Sequence, residues 1–218
     1  MTRELRLYDI SVTVNRDTPE WPGDTAFSFD WSTTISSGDS VNVSMMTSSP
    51  HVGTHADAPL HVHDGWPGSH ELPLDAFIGR AIVVDVSESA GEITLEMLAA
   101  RIPDDLTERI GRAQRMLLKT GQTIAGGRFP EEWPTLSEKC ARALLGHGLR
   151  LLGVDCPSVD ARESKNLPVH HMLFSGNACL LENLDLRRVP AGDYELLAFP
   201  LKLMGMDAAP VRAVLREI

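Results

Sequence analysis

Cysteine is scarce in this chain, with three residues among 218. Cys140, Cys156 and Cys179 lie far apart, so the sequence offers no CxxC pair that could hold a metal. Because three is also an odd number, the cysteines do not suggest the disulfide framework that stabilises small secreted domains. We interpret them as small buried hydrophobic residues.

Long hydrophobic runs are absent as well. No stretch is both long enough and free enough of charge to cross a bilayer, which takes about 20 mostly apolar residues in a helix. The first residues, Met1 to Arg6, also lack the apolar core of a secretory signal peptide. We therefore expect a soluble, cytoplasmic protein without a membrane partner.

Positive charge is the third shortage. The chain has 20 Lys and Arg residues against 30 Asp and Glu residues, which gives a formal net charge of -10. Such a surface repels nucleic acids and anionic membranes on average. We therefore expect a small-molecule substrate and no nucleic-acid partner.

The composition is nevertheless that of a protein with a substantial core, because 43% of its residues are hydrophobic. We find no internal repeat, linker or low-complexity tract, and predicted helices alternate with predicted strands. The pattern predicts one α/β domain over residues 1–218, with more than one sheet layer. Strands are predicted at 5–14, 27–31, 41–45, 81–86, 115–120, 149–155, 179–184, 194–203 and 210–215.

The strand at 81–86 is apolar enough to be buried on both faces and is predicted to be central. A turn is predicted at 21–24, where Trp21 on this pattern alone would cap the core. Five helical segments are predicted. Two have capping signals: one follows Thr94 and ends near Pro103, and another follows a capping-box pattern at Thr135 and Glu138. The other three are predicted at 74–79, from Asp104 onwards and around 170–174.

Residues 50–61 concentrate the strongest chemical signal of the sequence. His51, His55 and Asp57 have side chains of the types that bind zinc, manganese or iron. Their close spacing would allow one short segment to supply all three ligands to the same ion. Two prolines and a glycine in the segment favour a loop over a helix, and we expect this loop to leave a sheet edge. A polar surface loop without function is the alternative. Four candidate ligands in so short a segment, including His61, favour a metal site.

A second group of candidate ligands follows near the end of the chain. His170 and His171 precede Glu182, which lies in a predicted apolar strand. An unpaired carboxylate costs several kcal/mol to bury, so Glu182 either faces solvent from an edge strand or contacts a cation. The residues alone leave both alternatives open, and we expect at least one of the two histidines to be structural.

These motifs resemble a known family. The segment from His51 to His61 is similar to the signature of the metal-dependent cyclase-like amidohydrolases, which include bacterial kynurenine formamidases and isatin hydrolases. The resemblance covers nearly the whole chain. It is closer to the formamidase branch in five further segments, TPEWPGD (18–24), VDCPSVD (154–160), SKNLP (164–168), LENL (181–184) and DAAPVR (207–212).

The resemblance implies a swivelling β/β/α architecture with mixed sheets and flanking helices, assembled as a homodimer. It also implies two divalent metal ions per subunit, with zinc as the expected metal. His51 and His55 would then hold the first ion and His170 the second. Asp57 and Glu182 would bridge both ions, which would explain a glutamate in an apolar strand.

The resemblance gives two more residues roles outside metal binding. His61 would be the proton donor and acceptor, and Trp21 would become a wall of the pocket for an aromatic substrate. His170 suits the ligand role better than its neighbour because its distance in sequence from the glutamate fits the family pattern. The pattern assigns no role to His63, His70, His171 or Cys156.

The activity implied by the resemblance is hydrolysis of N-formyl-L-kynurenine to L-kynurenine and formate, a step of tryptophan catabolism by the kynurenine pathway. A metal-activated water would attack the formyl carbon, and His61 would protonate the leaving nitrogen. One alternative is hydrolysis of isatin or another cyclic or aryl amide. Another is a metal-binding scaffold without turnover, but a scaffold would not need His61 as a proton carrier.

Overall fold

Nine strands hydrogen-bond into one mixed sheet at the centre of the fold. The computed structural model describes residues 6–89, 91–102 and 105–218. Several expectations lie outside the described residues. They concern the start of the chain at Met1, the beginning of the first strand at Leu5, and the change from one helix to the next at Pro103 and Asp104.

The strands and helices are numbered in chain order. The strands are β1 (Leu7–Asp9), β2 (Ser28–Thr33), β3 (Val43–Thr47), β4 (His55–Asp57), β5 (Ile78–Asp85), β6 (Glu92–Ile93), β7 (Arg115–Lys119), β8 (Thr135–Leu136), β9 (Leu151–Val154), β10 (Cys179–Glu182), β11 (Gly192–Leu197), β12 (Ala208–Pro210) and β13 (Val214–Glu217). The helices are α1 (Leu95–Arg101), α2 (Leu106–Ala113), α3 (Glu138–Gly146) and α4 (Pro168–Ser175).

The order of strands in the large sheet is β1-β13-β11-β5-β7-β9-β10-β4-β12. The central strands β5, β7, β9 and β10 are parallel to their neighbours within this group, whereas β4 pairs antiparallel with both β10 and β12. Two small sheets, β2 with β3 and β6 with β8, complete the described strands. The α/β class and the mixed sheet are as predicted.

Strand β5 shows how the large sheet is buried on both faces. Ile82 and Val84 contribute to a core that includes residues of all four described helices. Ala81 and Val83 contribute to a second core on the opposite face, because side chains alternate along a strand. The prediction of a central strand at 81–86 is confirmed. No helix among the described residues is long and apolar enough to cross a bilayer.

Side-chain caps define where α1, α2 and α3 begin. The Thr94 hydroxyl accepts a hydrogen bond from the Met97 N–H at 3.3 Å, so α1 begins where the sequence predicted. The capping prediction for α3 is wrong, because Ser137 is the residue whose hydroxyl accepts from the Cys140 N–H, at 3.2 Å. Thr135 is unavailable as a cap since its backbone belongs to β8.

Strands β2 and β3 form a hairpin that is separate from the large sheet. The predicted strand at 41–45 corresponds to β3, an edge strand of this hairpin, and the irregular segment that follows it carries His51 as expected. Residues 55–57 are themselves a strand, β4, which lies between β10 and β12. The hairpin and the turn that joins its strands expose the large apolar side chains of Trp31, Ile35, Val41, Val43, Met45 and Met46.

Candidate metal centre

Strands β4 and β10 place three candidate ligands on one face of the sheet. His55 and Asp57 lie on β4, and Glu182 on β10 is directly opposite His55 in the antiparallel register. Residues two apart in a strand, or directly opposite across a pair of strands, share a face. Glu182 is buried on an interior strand, so the alternative of a solvent-facing edge glutamate is wrong.

The other candidates reach the same place from irregular chain and from a helix. His51 lies in the turn before β4, and His61 is the last residue of a short 3-10 helix, Pro59–His61. His170 lies on α4. The predicted loop is correct for the residues around His51, but β4 interrupts it because its backbone pairs with two neighbouring strands.

In each of the two carboxylates, one oxygen approaches His55 and the other oxygen approaches His170. Asp57 Oδ1 lies 3.1 Å from His51 Nδ1 and 3.1 Å from His55 Nε2. Asp57 Oδ2 lies 3.4 Å from His170 Nε2. Glu182 repeats this arrangement, with Oε2 3.8 Å from His55 Nε2 and Oε1 3.4 Å from His170 Nε2.

Asp57 is fully buried, and its environment fits a cation. Despite these short approaches, neither oxygen accepts a hydrogen bond of normal geometry from the described residues. A buried carboxylate without compensation is unfavourable by several kcal/mol. Nitrogen and oxygen lone pairs directed at one another suit a divalent metal between them. His51, His55 and Asp57 form one close set of possible ligands, and Asp57, His61 and His170 form another.

The pKa values in the cluster reflect the same crowding. Burial lowers the pKa of His51, but the hydrogen bond with Asp207 and the close approach of the Asp57 carboxylate outweigh burial and raise it to about 10. Burial also lowers the pKa of His170, yet the hydrogen bond with Asp160 and the close approach of Asp57 raise it well above its usual value. Burial raises the pKa of Asp57, but the surrounding imidazoles hold it well below its usual range. Metal binding here would therefore release protons.

Buried hydrogen bonds aim two of the imidazoles. Asp160 Oδ2 accepts from His170 Nδ1 at 2.7 Å, and the same carboxylate accepts from the N–H groups of Val169 and His170 at the start of α4. His55 Nδ1 donates to the Gly53 carbonyl at 3.0 Å. Both rings are thus held with Nε2 towards the carboxylates. Such support of ligand orientation is typical of metal sites.

A cavity of about 410 Å³ borders the cluster, and Trp21 lines it. The Trp21 ring makes edge-to-face contacts with Phe129 at 5.5 Å and with Trp133 at 5.8 Å between centroids. The predicted turn is confirmed by a hydrogen bond from the Asp24 N–H to the Trp21 carbonyl at 2.9 Å. Trp21 therefore belongs to the wall of this cavity and does not merely cap the core.

Asp207 is a site residue that the sequence did not single out. Its Oδ2 lies 3.0 Å from His51 Nε2 and 3.3 Å from His61 Nδ1. Hydrogen bonds from these two histidines hold the pKa of Asp207 well below its usual range. The one signal in the sequence was an acidic residue directly before a short apolar strand, in a segment that carried the family resemblance.

Other residues without an assigned role lie outside the cluster. The His63 ring stacks on Trp66 with 4.6 Å between centroids, and His171 meets the same indole edge-to-face at 5.8 Å. Cys156 is buried, and its thiol donates to the Ser158 carbonyl at 3.2 Å. Burial holds the pKa of this thiol well above its usual value. All three cysteines are free and buried, as predicted.

Comparison with known proteins agrees with this geometry. The Cyclase family model, described as "Putative cyclase", matches residues 8–161. A kynurenine formamidase from Bordetella avium is 40% identical over 213 residues, which cover 98% of this chain and 99% of that protein. The chain belongs to the cyclase family, in the branch of the kynurenine formamidases. The resemblance identified from the sequence is thereby confirmed.

Solved structures support the same fold and class of enzyme. A structure described as a predicted metal-dependent hydrolase from Bacillus stearothermophilus has a TM-score of 0.80 and 28% identity, and the match covers 99% of this chain and 100% of that chain. The structure of isatin hydrolase A from Labrenzia aggregata matches with a TM-score of 0.79, and the match covers 97% of this chain and 93% of that chain. Because the two sequences are only 23% identical, this match shows the fold alone. As a member of the cyclase family, this protein is a metal-dependent hydrolase.

Proposed function

We propose that this protein hydrolyses N-formyl-L-kynurenine to L-kynurenine and formate, a step of tryptophan catabolism by the kynurenine pathway. The observation that carries the proposal is the Asp57 carboxylate. It is buried without a hydrogen-bond donor of normal geometry among the described residues, and it is faced by three imidazoles beside an aromatic-walled cavity. The full-length similarity to a protein named kynurenine formamidase supports the choice of substrate.

We propose that the cluster holds two divalent ions, with zinc as the proposed metal. His51 and His55 would hold the first ion, His170 would hold the second, and Asp57 and Glu182 would bridge both. The division of the Asp57 oxygens supports this assignment, because Oδ1 approaches the first two rings and Oδ2 approaches the third. Bound metal lowers the pKa of water to about 7 and polarises a carbonyl group.

His61 is the proposed proton carrier. It borders the cavity, and one of its ring nitrogens lies within 4.8 Å of possible ligand atoms of Asp57 and His170. From there it takes a proton from the attacking water as the O–C bond forms. It then gives that proton to the amide nitrogen as the C–N bond breaks. Without the proton, the leaving arylamide anion would be too basic to depart.

Trp21 is the proposed wall for the aryl ring of the substrate. The cavity has the size of a small-molecule site, and Trp21 and Phe129 supply aromatic surface to it. Aromatic rings favour edge-to-face and offset contacts with one another. A formylated arylamine would thus place its ring against Trp21 and its amide at the ligand cluster.

A direct test compares N-formyl-L-kynurenine, isatin and simple formamides with the same purified protein. Release of kynurenine is followed optically. We expect a much higher kcat/KM for N-formyl-L-kynurenine than for isatin. Equal or higher efficiency on isatin would favour the alternative of an isatin hydrolase-like enzyme, and no turnover of any amide would favour a metal-binding scaffold.

Elemental analysis tests the proposed number of metals. We expect two ions per chain, because two carboxylates are each placed between the same imidazoles. One tightly held ion that supports full activity would contradict the bridging roles of Asp57 and Glu182. It would also remove the reason for assigning His170 as a ligand.

We further propose that residues 1–218 act as one hydrolase domain, in the cytoplasm, as a homodimer. The β2–β3 hairpin supports the dimer because it exposes apolar side chains, with Met46 as much as 72% exposed. Contiguous exposed apolar surface is typical of protein interfaces. Light scattering should give the mass of a dimer, and a Met46→Glu variant should shift the protein towards the monomer.

A further inference from the structure

Asp207 contacts two histidines that have different tasks in the proposed function. Its Oδ2 lies 3.0 Å from His51 Nε2 and 3.3 Å from His61 Nδ1. We propose that Asp207 is a positioning residue for the reaction. By accepting the Nδ1 hydrogen of His61, it leaves Nε2 of that ring to exchange a proton with the substrate. This inference rests on the role proposed above for His61.

The backbone sets the position of Asp207 independently of its side chain. The Ala58 N–H donates to the Asp207 carbonyl at 2.8 Å. The next residue, Ala208, is paired with Asp57 in the register of β12 and β4. The main chain therefore fixes Asp207 beside the segment that carries His61. We expect an asparagine at this position to occupy the same place.

His51 separates Asp207 from the ligand cluster. Its Nδ1 faces His55 and Asp57 at 3.1 Å, so the opposite nitrogen, Nε2, is the one that donates to Asp207. A carboxylate on the outer nitrogen of a ligating imidazole orients the ring and sets its tautomer without binding the metal. Exposure agrees with this distinction, since the Asp207 side chain is 42% exposed and the Asp57 side chain only 1%.

The tautomer of His61 decides whether the ring can start the reaction. With hydrogen on Nδ1, the lone pair on Nε2 accepts a proton from the water while the water oxygen bonds to the formyl carbon. The resulting imidazolium faces the charge of Asp207, and the Nε2 proton moves to the amide nitrogen as the C–N bond breaks. Asp207 takes no proton in either step. Without Asp207, the Nε2–H tautomer, which cannot accept the proton of water, would compete.

Nitrogen-15 NMR of histidine-labelled protein reads the tautomer directly and needs no substrate. The His61 signal is identified by its loss in His61→Ala. In the zinc-loaded native protein we expect the Nδ1–H tautomer. Asp207→Asn, and Asp207→Ala where the acceptor is removed altogether, should shift His61 towards the Nε2–H tautomer. An unchanged His61 tautomer in both variants would overturn the proposal.

Kinetics provide a second readout. Asp207→Asn should keep the native metal content and a nearly unchanged KM, while kcat falls by about 10²-fold, within the range for loss of a well-oriented proton carrier. In a His61→Ala background the same change should cost little more, because Asp207 acts through His61. Asp9→Asn is the matched control, since this partly exposed carboxylate pairs with Arg212 on the same C-terminal segment and should leave kcat unchanged.

Two outcomes would contradict the assignment. His51, His61 and Asp207 are also close enough to form a ligand set, so loss of metal from Asp207→Asn would make Asp207 a ligand. Fully additive losses in the double variant would show that Asp207 acts without His61. If the native protein does not hydrolyse N-formyl-L-kynurenine, the proposed substrate is wrong, and the NMR comparison still decides the positioning role.

Discussion

The two sides of the ligand cluster differ in how they are enclosed. His170 is 2% exposed, and Asp160, which fixes its ring, is buried beside it. On the other side, His61 has a 30% exposed side chain, and both His51 and His61 contact the partly exposed Asp207. The protein interior therefore buries one side almost completely, whereas the other side is partly exposed to solvent. Enclosure suits metal retention, and access suits reaction with the substrate.

Replacement of His51 by alanine should cause the largest loss of activity. This change should strip or loosen the first metal, so that generation of the nucleophile and polarisation of the carbonyl fail together. We expect kcat to fall by more than the roughly 10⁴-fold that marks the upper range for one proton carrier. Elemental analysis and kcat are measured on the same preparation. Excess zinc should restore activity at best in part, and full retention of metal would show that His51 is not a ligand.

His61→Ala should separate proton transfer from metal binding on the open side. We expect native metal content and fold, with kcat lowered by about 10²- to 10⁴-fold, because a positioned acid/base is lost. Metal loss as in His51→Ala would instead identify His61 as a ligand, and another group would then have to carry the proton.

An activated aryl formate ester sharpens the test of His61. Its leaving group needs little protonation on departure, so His61→Ala should be less impaired with the ester than with the amide. The ratio of kcat for variant and native protein is measured with both substrates. An equal loss on ester and amide would argue against proton donation to the leaving group.

Asp160→Asn should affect the enclosed side without direct contact with the substrate. The change weakens the hydrogen bond that orients His170, and such supporting residues are typically worth about 10- to 100-fold in metal affinity. Zinc titration measures the affinity, and excess zinc should recover most of the activity. If zinc binding is unchanged, the zinc affinity of the enclosed side does not depend on this carboxylate. The contrast between the two sides of the cluster is then weaker than we infer.

Trp21→Ala should have the smallest effect. Loss of the indole removes apolar surface from the cavity, and we expect KM to rise by about tenfold, equivalent to roughly 1.4 kcal/mol, with little change in kcat. Trp21→Phe keeps an aromatic wall and should lie near the native value. A large fall in kcat with unchanged KM would place Trp21 at the reacting atoms.

Several elements could be predicted because their signals are local. Thr94 caps α1 as expected, and the apolar run at 81–86 is a central strand. Thr135 was misassigned because a capping pattern does not reveal that the same backbone pairs with β6. The strand His55–Asp57 was missed for the same reason, since its partners β10 and β12 lie more than a hundred residues along the chain.

The sequence by itself determined which side chains could bind a metal near β4, because His51, His55 and Asp57 are too close along the chain to be far apart in space. It left the surroundings of Glu182 open, and only the interior position of β10 decided that this carboxylate is buried. Tertiary structure also decided the place of Asp207, because strand pairing across the sheet, and no local pattern, brings its carboxylate to His51 and His61. The short length of chain between neighbouring residues limits how far apart they can lie in space. Strand register and packing, by contrast, determine which residues distant in sequence lie beside them.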